Sequence, residues 1–527
     1  MATRRPRTTV TRRGFLATSL GAALVACSDA PLVVDDTALD GNDGDDGGDA
    51  ADGEPEVEAP DTAPEETTPE VADATADAED GELEADGSET DDTQVADTAE
   101  QPRYDPGALP EAGLATFPIG VWSSDPTSDA GASLAILLGT RYLGEGPLEL
   151  VVYRVDDFST ANQPIGPVVH RAAVSLDDGG FVRFDLRSAD VAFRAHTDHA
   201  FVFVTAVERS PVGRFRTPPA ADATPVITLG VTSCASYTFR PFQVLERAAE
   251  SDLDAFILLG DTTYADDARS LSDYRGNWQR NLQQAGYTKL RPRIPTIATW
   301  DDHEVDNNWN PETFDGARLA SATRCFFEHT TPRSASPKIW RSLRFGHTVE
   351  VFVLDGRGER RPSTRTSSDP LYISNEQRDW LVEGLNSSPC VFKLVANTVS
   401  IAKWPALYLG GDDRWQGYGK QRDHVLSRTA EVSGVIWVAG DFHFGSVHRI
   451  DPPDGPFHGM TEVLVGPVAH LNPALSIVEL TGDKRQFEWL SGERNYGRFI
   501  FDPNTLTMTI EHVAPGGTVL RRTVLTS

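Results

Sequence analysis

The chain has 527 residues and a formal net charge of −32, but the charge is unevenly spread. Residues 35–100 hold 27 Asp or Glu and no Lys or Arg, the first 34 residues carry a net +4, and residues 101–527 are left with a net −9. That distribution excludes a basic nucleic-acid-binding surface, which needs clustered positive charge to displace counterions, and the length suggests two to four domains.

Arg12 and Arg13 in TRRGFL precede a short apolar run, ATSLGAALVA. The run is too short for a spanning helix, which takes about 20 apolar residues, so residues 1–27 read as a signal segment. The arginine pair resembles a twin-arginine export signal. Leu24-Val25-Ala26-Cys27 resembles a bacterial lipobox, with Cys27 lipidated after cleavage and the chain held to a membrane facing the periplasm or cell exterior. Residues 28–105 are rich in Asp, Glu, Ala, Thr and Gly and cannot bury enough apolar surface to offset ordering entropy. They read as a disordered acidic tether, in preference to a calcium-binding array, since DGNDGDDGGD lacks the fixed ligand spacing and bidentate Glu of such a loop.

Residues 113–218 predict a small β-sandwich of immunoglobulin type: LAILLG, LELVVYRV, AAVSL, FVRFDL and HAFVFVTAV are short and β-prone, with turn signals between them. Residues 224–513 alternate apolar strands with helical stretches, which implies an α/β domain. Ser374 and Gln377 stand at capping-box spacing before the helical stretch NEQRDWLVEGLN.

Six predicted strands end in polar side chains suited to metals or anions. VITLGVTS runs into Cys234, AFILLG into Asp261 and Tyr264, and IPTIATW into Asp301, Asp302, His303 and Glu304. VEVFVL runs into Asp355 and Arg357, FKLVA into Asn397, and GVIWVAG into Asp441 and His443. In α/β sheets ligands bind beyond the strand C-termini, so these groups are expected to converge. Four carboxylates in one place need a cation to stay ionised. Oxygen ligands with imidazole suit Mg, Ca, Mn, Zn or Fe, and a thiol with a phenol shifts the preference to ferric iron for one metal. Two metals about 4 Å apart can clamp an in-line displacement at phosphorus.

GDTTY (260–264), WDDHEVDNNW (300–309), LDGRGERR (354–361), DRWQGY (413–418) with Arg422, and GDFH (440–443), together with SCAS around Cys234, resemble the ordered motif set of the PhoD-like alkaline phosphatases. The resemblance covers about 113–513 and implies a layered α/β/β/α metallophosphoesterase domain behind the sandwich. It implies that Asp261 bridges two metals, that Cys234, Tyr264 and Asp441 complete an Fe(3+) site, and that Asp302, Asn308 and His443 serve a Ca(2+) site. His303 is expected near the leaving group, Arg357 on a phosphate oxygen, and Asn397 on metal or phosphate. The implied reaction is hydrolysis of a phosphate ester by metal-activated hydroxide, without a phospho-enzyme, in a monomer. Alternatives are a phosphodiesterase acting on phospholipid or cell-wall polymer and, more distantly, a non-catalytic surface binding protein.

The chain departs from the family pattern at Gly356 and Gly358, where larger residues are usual, at Phe442, and in MTEVLVGPVAHLN, which lacks the expected serines. His448, His458 and His470 fit no motif and read as non-catalytic. Trp415 and Tyr418 are balanced between packing and substrate contact. Cys325 and Cys390 are candidates for one disulfide.

Overall fold

The strands that end in the candidate ligands are mainly apolar, as strands covered on both faces are, with Glu350 and Lys393 the charged exceptions in β14 and β15. Every residue of AFILL, VEVFV and FKLVA is buried. The computed structural model describes residues 112–527 apart from 130, 132, 156, 159–163, 192, 406–412 and 472–474, so the signal segment, Cys27 and the tether lie outside the described residues.

The first half of the chain gives β1 (Val121–Thr127), β2 (Ala135–Arg141), β3 (Leu148–Arg154), the ribbon β4 (Asp157–Phe158) and β5 (Pro164–Ile165), β6 (Val168–Val174), β7 (Phe181–Arg187), β8 (Asp198–Val204) and β9 (Gly213–Arg216). Then follow β10 (Ile227–Thr232), α1 (Gln243–Ala249), β11 (Ala255–Leu259), α2 (Leu271–Leu282), α3 (Ala285–Leu290), β12 (Thr296–Thr299), α4 (Gly316–Thr330), β13 (Arg341–Phe345) and β14 (Val349–Val353). The remainder gives α5 (Asn375–Ser387), β15 (Phe392–Ala396), α6 (Gly419–Thr429), β16 (Val435–Ala439), β17 (Gly445–Arg449), β18 (Thr461–Leu464) and α7 (Leu475–Thr481). It closes with β19 (Phe487–Ser491), β20 (Tyr496–Asp502), β21 (Thr507–Val513) and β22 (Val519–Thr526).

Two large sheets carry the architecture. One has nine strands in the order β22-β21-β20-β10-β11-β12-β1-β2-β7, the other seven in the order β13-β14-β15-β16-β18-β17-β19. β10, β11 and β12 run parallel, as do β14, β15, β16 and β18, so their C-terminal ends share one side of each sheet. Leu229, Ile257 and Ile297 from the first sheet pack against Val351, Leu394 and Val438 from the second. Val244, Trp278 and Phe326 of α1, α2 and α4 cover the outer face of the first sheet, and Leu381 and Val425 of α5 and α6 that of the second. The result is four layers, helix, sheet, sheet and helix.

The N-terminal strands differ from a freestanding sandwich. A sheet in the order β6-β3-β8-β9 packs on β1, β2 and β7 through Leu150, Phe201, Ile136 and Leu138. Yet β1 pairs in parallel with β12, Ser124 opposite Thr296, so one face of this region is a continuation of the main sheet. The cause is a polar junction: fully buried Asp125 accepts hydrogen bonds from the Arg341 guanidinium at 2.5 and 2.7 Å and from the Arg333 N–H. At the other edge β21 and β22 carry the main sheet on past residue 513 to Thr526.

Ser374 caps α5 by accepting from the Gln377 N–H, but the reciprocal half of the capping box is absent. The Gln377 amide accepts from the Asp355 N–H and donates to the Asp355 carbonyl, bracing the loop after β14. Cys325 and Cys390 are both buried free thiols, so the candidate disulfide does not form.

Candidate metal centre

The loops leaving β10, β11, β12 and β16 bring the candidate ligands together in three overlapping groups. In each, the ligand atoms lie within 4.8 Å of one another: Cys234, Asp261 and His443; Asp261, Asp302 and His303; Asp301, Asp302 and Asp441. Asp261 and Asp302 each belong to two groups, so the arrangement is one continuous strip of donors. Its partition differs from the one expected. His443 joins Cys234 and Asp261 where it was expected beside Asp302, and Asp441 joins Asp301 and Asp302 where it was expected beside Cys234. The reason is local: Asp441 and His443 are two residues apart on one turn and point to opposite ends of the strip.

The backbone is bent to make this convergence. Cys234, Asp261, Asn308, Asp441 and His443 have φ of +61°, +55°, +49°, +62° and +59°. Each such non-glycine residue costs on the order of 1–3 kcal/mol and persists where the surroundings enforce it, typically at functional sites. Gly260, at φ +100°, lets the β11 turn approach β12: a Cβ there would stand 2.6 Å from the Asp301 nitrogen. Glu304, fully buried, accepts N–H bonds from Thr262 at 2.6 Å and Asp301 at 3.0 Å, tying the two loops together. Asn281 of α2 donates to the carbonyls of Ala235 and Thr262 and fixes the Cys234 loop to the Asp261 loop.

Burial raises the pKa of Asp261 well above its ordinary value, with neighbouring Asp302 and Asp301 adding to the shift against the His303 imidazole. Burial also pushes Asp301 up to about 7, Glu304 to about 7 and Asp441 to about 6. Asp302 goes the other way: burial opposes its ionisation, but Arg357, His303 and the Asn308 N–H together hold it below the ordinary carboxylate value. Burial, and then Asp261, raise the Cys234 thiol. Asp261 Oδ1, Asp301 Oδ2, Asp441 Oδ2 and Asn397 Oδ1 are buried acceptors with no hydrogen-bond donor. A strip of buried carboxylates with lone pairs aimed inward fits hard cations, and the thiol and imidazole at one end fit a softer one. Tyr264 OH, 3.2 Å from Asp261 Oδ2, lies at that same end.

Around the strip, the other expected residues take distinct places. His303 is buried, its ring stacks on Tyr264 at 4.0 Å, and its Nδ1 lies 2.8 Å from Asp266 Oδ1. Asn308 is exposed and reaches Asp302 through its main-chain N–H at 2.6 Å. Arg357 is fully buried: its Nε donates to Asp301 and its Nη1 to Asp413, while Nη2 faces Asp302 at 3.6 Å and Asp441 at 3.5 Å. This makes Arg357 the counter-charge of the carboxylates, with only Nη2 turned toward the position expected for phosphate. Asp355 holds the Arg357 loop by accepting from the Arg357 and Gly358 N–H groups and from Trp300 Nε1. The two unusual glycines do not open the pocket: a Cβ at Gly358 would meet Asp355 Oδ2 at 2.6 Å, and one at Gly356 would meet Thr398 Oγ1 at 2.9 Å. Phe442 is likewise turned out of the site, packing edge-on against Trp404 at 4.7 Å under the Arg414 guanidinium. Trp415 and Tyr418 are fully buried against Tyr372, which settles them as packing residues. Arg422 binds the Ile401 carbonyl and Asp451 and takes no part in the strip.

His470 stands closer to the centre than its lack of a motif suggests. It fits no motif, yet its ring stacks on His443 at 3.7 Å and on Tyr264 at 5.8 Å, placing it at the mouth of the centre. The partners Asp266 and Asp413 were equally missed, although DRWQGY begins at Asp413. His448 and His458 are structural, as expected: His448 is buried between Ser446 and Glu462, and His458 Nδ1 bonds the Asp451 carbonyl.

Four layers with a strip of carboxylate, imidazole and thiol donors at the strand ends make a metallophosphoesterase-like fold. Residues 229–490 match the model of the PhoD-like phosphatase family, so the chain carries a PhoD-like phosphatase domain. It is 26% identical to alkaline phosphatase D of Bacillus subtilis (strain 168) over 64% of this chain and 66% of that protein, just under two thirds of its length. A solved structure of PhoD superposes with a TM-score of 0.64 at 20% identity, covering 79% of this chain and 90% of that one. A purple acid phosphatase from yellow lupin (Lupinus luteus) seeds superposes with a TM-score of 0.55 at 12% identity, covering 77% and 74%. At those identities the two structures speak for the fold alone.

Proposed function

We propose that the protein hydrolyses phosphate esters outside the cytoplasm, using two cations held along the strip from Cys234 to Asp441. The observation that carries this reading is the set of orphaned, inward-facing oxygens of Asp261, Asp301, Asp441 and Asn397. Cys234, Asp261, His443 and Tyr264 would hold one cation, for which Fe(3+) is the preferred ion. Asp302, Asp301 and Asp441 would hold the second, for which Ca(2+) is preferred, with Zn, Mn or Mg as substitutes. A bound pair supplies a nucleophile near neutral pH and offsets charge on the phosphoryl oxygens.

The side chains do the rest. His303 as the imidazolium gives its Nε2 proton to the departing oxygen, while its Nδ1–H donates a hydrogen bond to Asp266, which orients the ring and stabilises its charged form. Arg357 holds Asp302 in its ionised form, opposes the burial that raises Asp301, and offers Nη2 to a phosphoryl oxygen. Water attacks phosphorus directly, so no phospho-enzyme forms. The N-terminal region belongs to the same proposal: a twin-arginine signal, lipid on Cys27, an acidic tether, and an immunoglobulin-like sandwich fused to the catalytic layers of a monomer.

The test is hydrolysis of matched chromogenic phosphate mono- and diesters by the purified chain with and without chelator. Chelator-sensitive turnover supports the reading, and the mono- to diester ratio separates a phosphatase from a phospholipid or polymer diesterase. No turnover of either ester with iron and calcium restored overturns it in favour of a binding protein.

A further inference from the structure

The mouth of the centre is lined by aromatic rings that are neither core nor fully exposed. Tyr264, His470, Phe239 and Tyr237 are each half-buried. The first three form a connected row: Tyr264 to His470 at 5.8 Å and 21°, His470 to Phe239 at 5.0 Å. Tyr237, on the same turn as Phe239, carries the Arg240 guanidinium over its ring at 4.2 Å and that of Arg280 at 5.0 Å. Among the described residues neither arginine is paired with a carboxylate, in a chain whose acidic residues far outnumber its basic ones. Leu471, 58% exposed, extends the apolar edge beyond His470.

We propose that this row is a leaving-group subsite for a flat aromatic ring, with a nucleobase the fitting chemistry. The proposal rests on the phosphate-ester reading of the adjacent centre and names its substrate class. A phosphoryl group at the strip leaves the ester's alcohol portion directed past His303 and Tyr264 toward His470. A nucleobase there presents a π face to the rings and acceptor atoms to the two guanidiniums, whereas a sugar or glycerol unit offers neither. Rings that only support the loops would give no such discrimination, because they would act alike on every ester.

The experiment uses the metal-loaded full chain with adenosine 5′-phosphate and ribose 5-phosphate. Both lose the same primary alcohol, so the base is the sole difference. The base is expected to raise kcat/KM by about tenfold or more, the scale of base–aromatic stacking. Tyr237→Leu and Phe239→Leu, which keep apolar bulk and remove the rings, are expected to bring that ratio toward one. A wild-type ratio near one, or the same ratio in both variants, overturns the proposal. Calorimetric binding of adenosine against ribose is measured alongside and must show the same preference. If p-nitrophenyl phosphate is also left intact, the hydrolase reading has failed, and the calorimetric comparison still decides the subsite.

Discussion

Asp266→Asn isolates the proton-donating step. Asp266 is 2.8 Å from His303 Nδ1, and its side chain is 32% exposed against 4% for His303. Asn keeps an oxygen able to accept the Nδ1 proton, so the ring orientation survives and only the negative charge is lost. A unit charge about 4 Å from the imidazole is worth about 4 kcal/mol at an effective dielectric constant of about 20. Asp266's exposure reduces that to roughly 2–3 kcal/mol, or about 30- to 160-fold in kcat. The loss should depend on the leaving group. An alkyl phosphate, which needs the proton, is expected to show the full effect, while p-nitrophenyl phosphate, whose anion departs unaided, is expected to lose less than about threefold. Steady-state kinetics on both esters, with a melting curve to show an unchanged fold, make the comparison. Equal losses on the two esters, or none on either, would refute the assignment of His303 as proton donor.

Asp261→Asn removes the carboxylate shared by two donor groups and is expected to abolish both metal retention and turnover; full metal content by mass spectrometry would contradict that role. Arg357→Met leaves Asp301 buried without its counter-charge, while Asp413 keeps Arg360, and is expected to destabilise the fold by about 3–5 kcal/mol, read by denaturant unfolding. An unchanged midpoint there would show that Asp301 is held some other way. In chelated protein, burial raises Asp301 and Glu304 to about 7 and Asp441 to about 6. A raised folded pKa adds stability that is complete below the unfolded value of about 4 and is lost as pH rises through the folded one. The chelated protein should therefore melt lower at pH 8 than at about pH 5, and adding metal near pH 6 should release protons. A flat melting profile, or metal uptake without proton release, would count against the protonated carboxyls.

The ends of the six apolar strands were legible because a fully buried strand is a continuous apolar run, and the residue where that run stops is the one that faces the ligand side. What was not legible was pairing. Asp266 lies in a loop of several acidic residues, and nothing local marks it as the partner of His303. β1 is buried throughout, and its Ser123, Ser124 and Asp125 read as loop. Only the fold reveals that Ser124 bonds the Thr331 carbonyl and Asp125 the Arg341 guanidinium. His470 stayed hidden for the same reason: a stack of rings across distant turns leaves no spacing in the chain. Which donors Asp441 and His443 stand beside was not legible either, because the two share one turn and their directions depend on positive φ at both.

The pairing of β10 with β20 sets a timetable. Ile227 lies opposite Phe501, so the strand that ends in Cys234 lacks one neighbour until nearly the whole chain has been synthesised. β1, by contrast, waits on β12 at the other side of the same sheet. Synthesis therefore presents the proposed export signal first and completes the metal centre last. A cell that recognised the signal as it emerged would send out a chain still unable to hold its cations. On the proposed export route, passage after folding would let the late strands close the sheet, and the cations bind, before the chain leaves the cell interior.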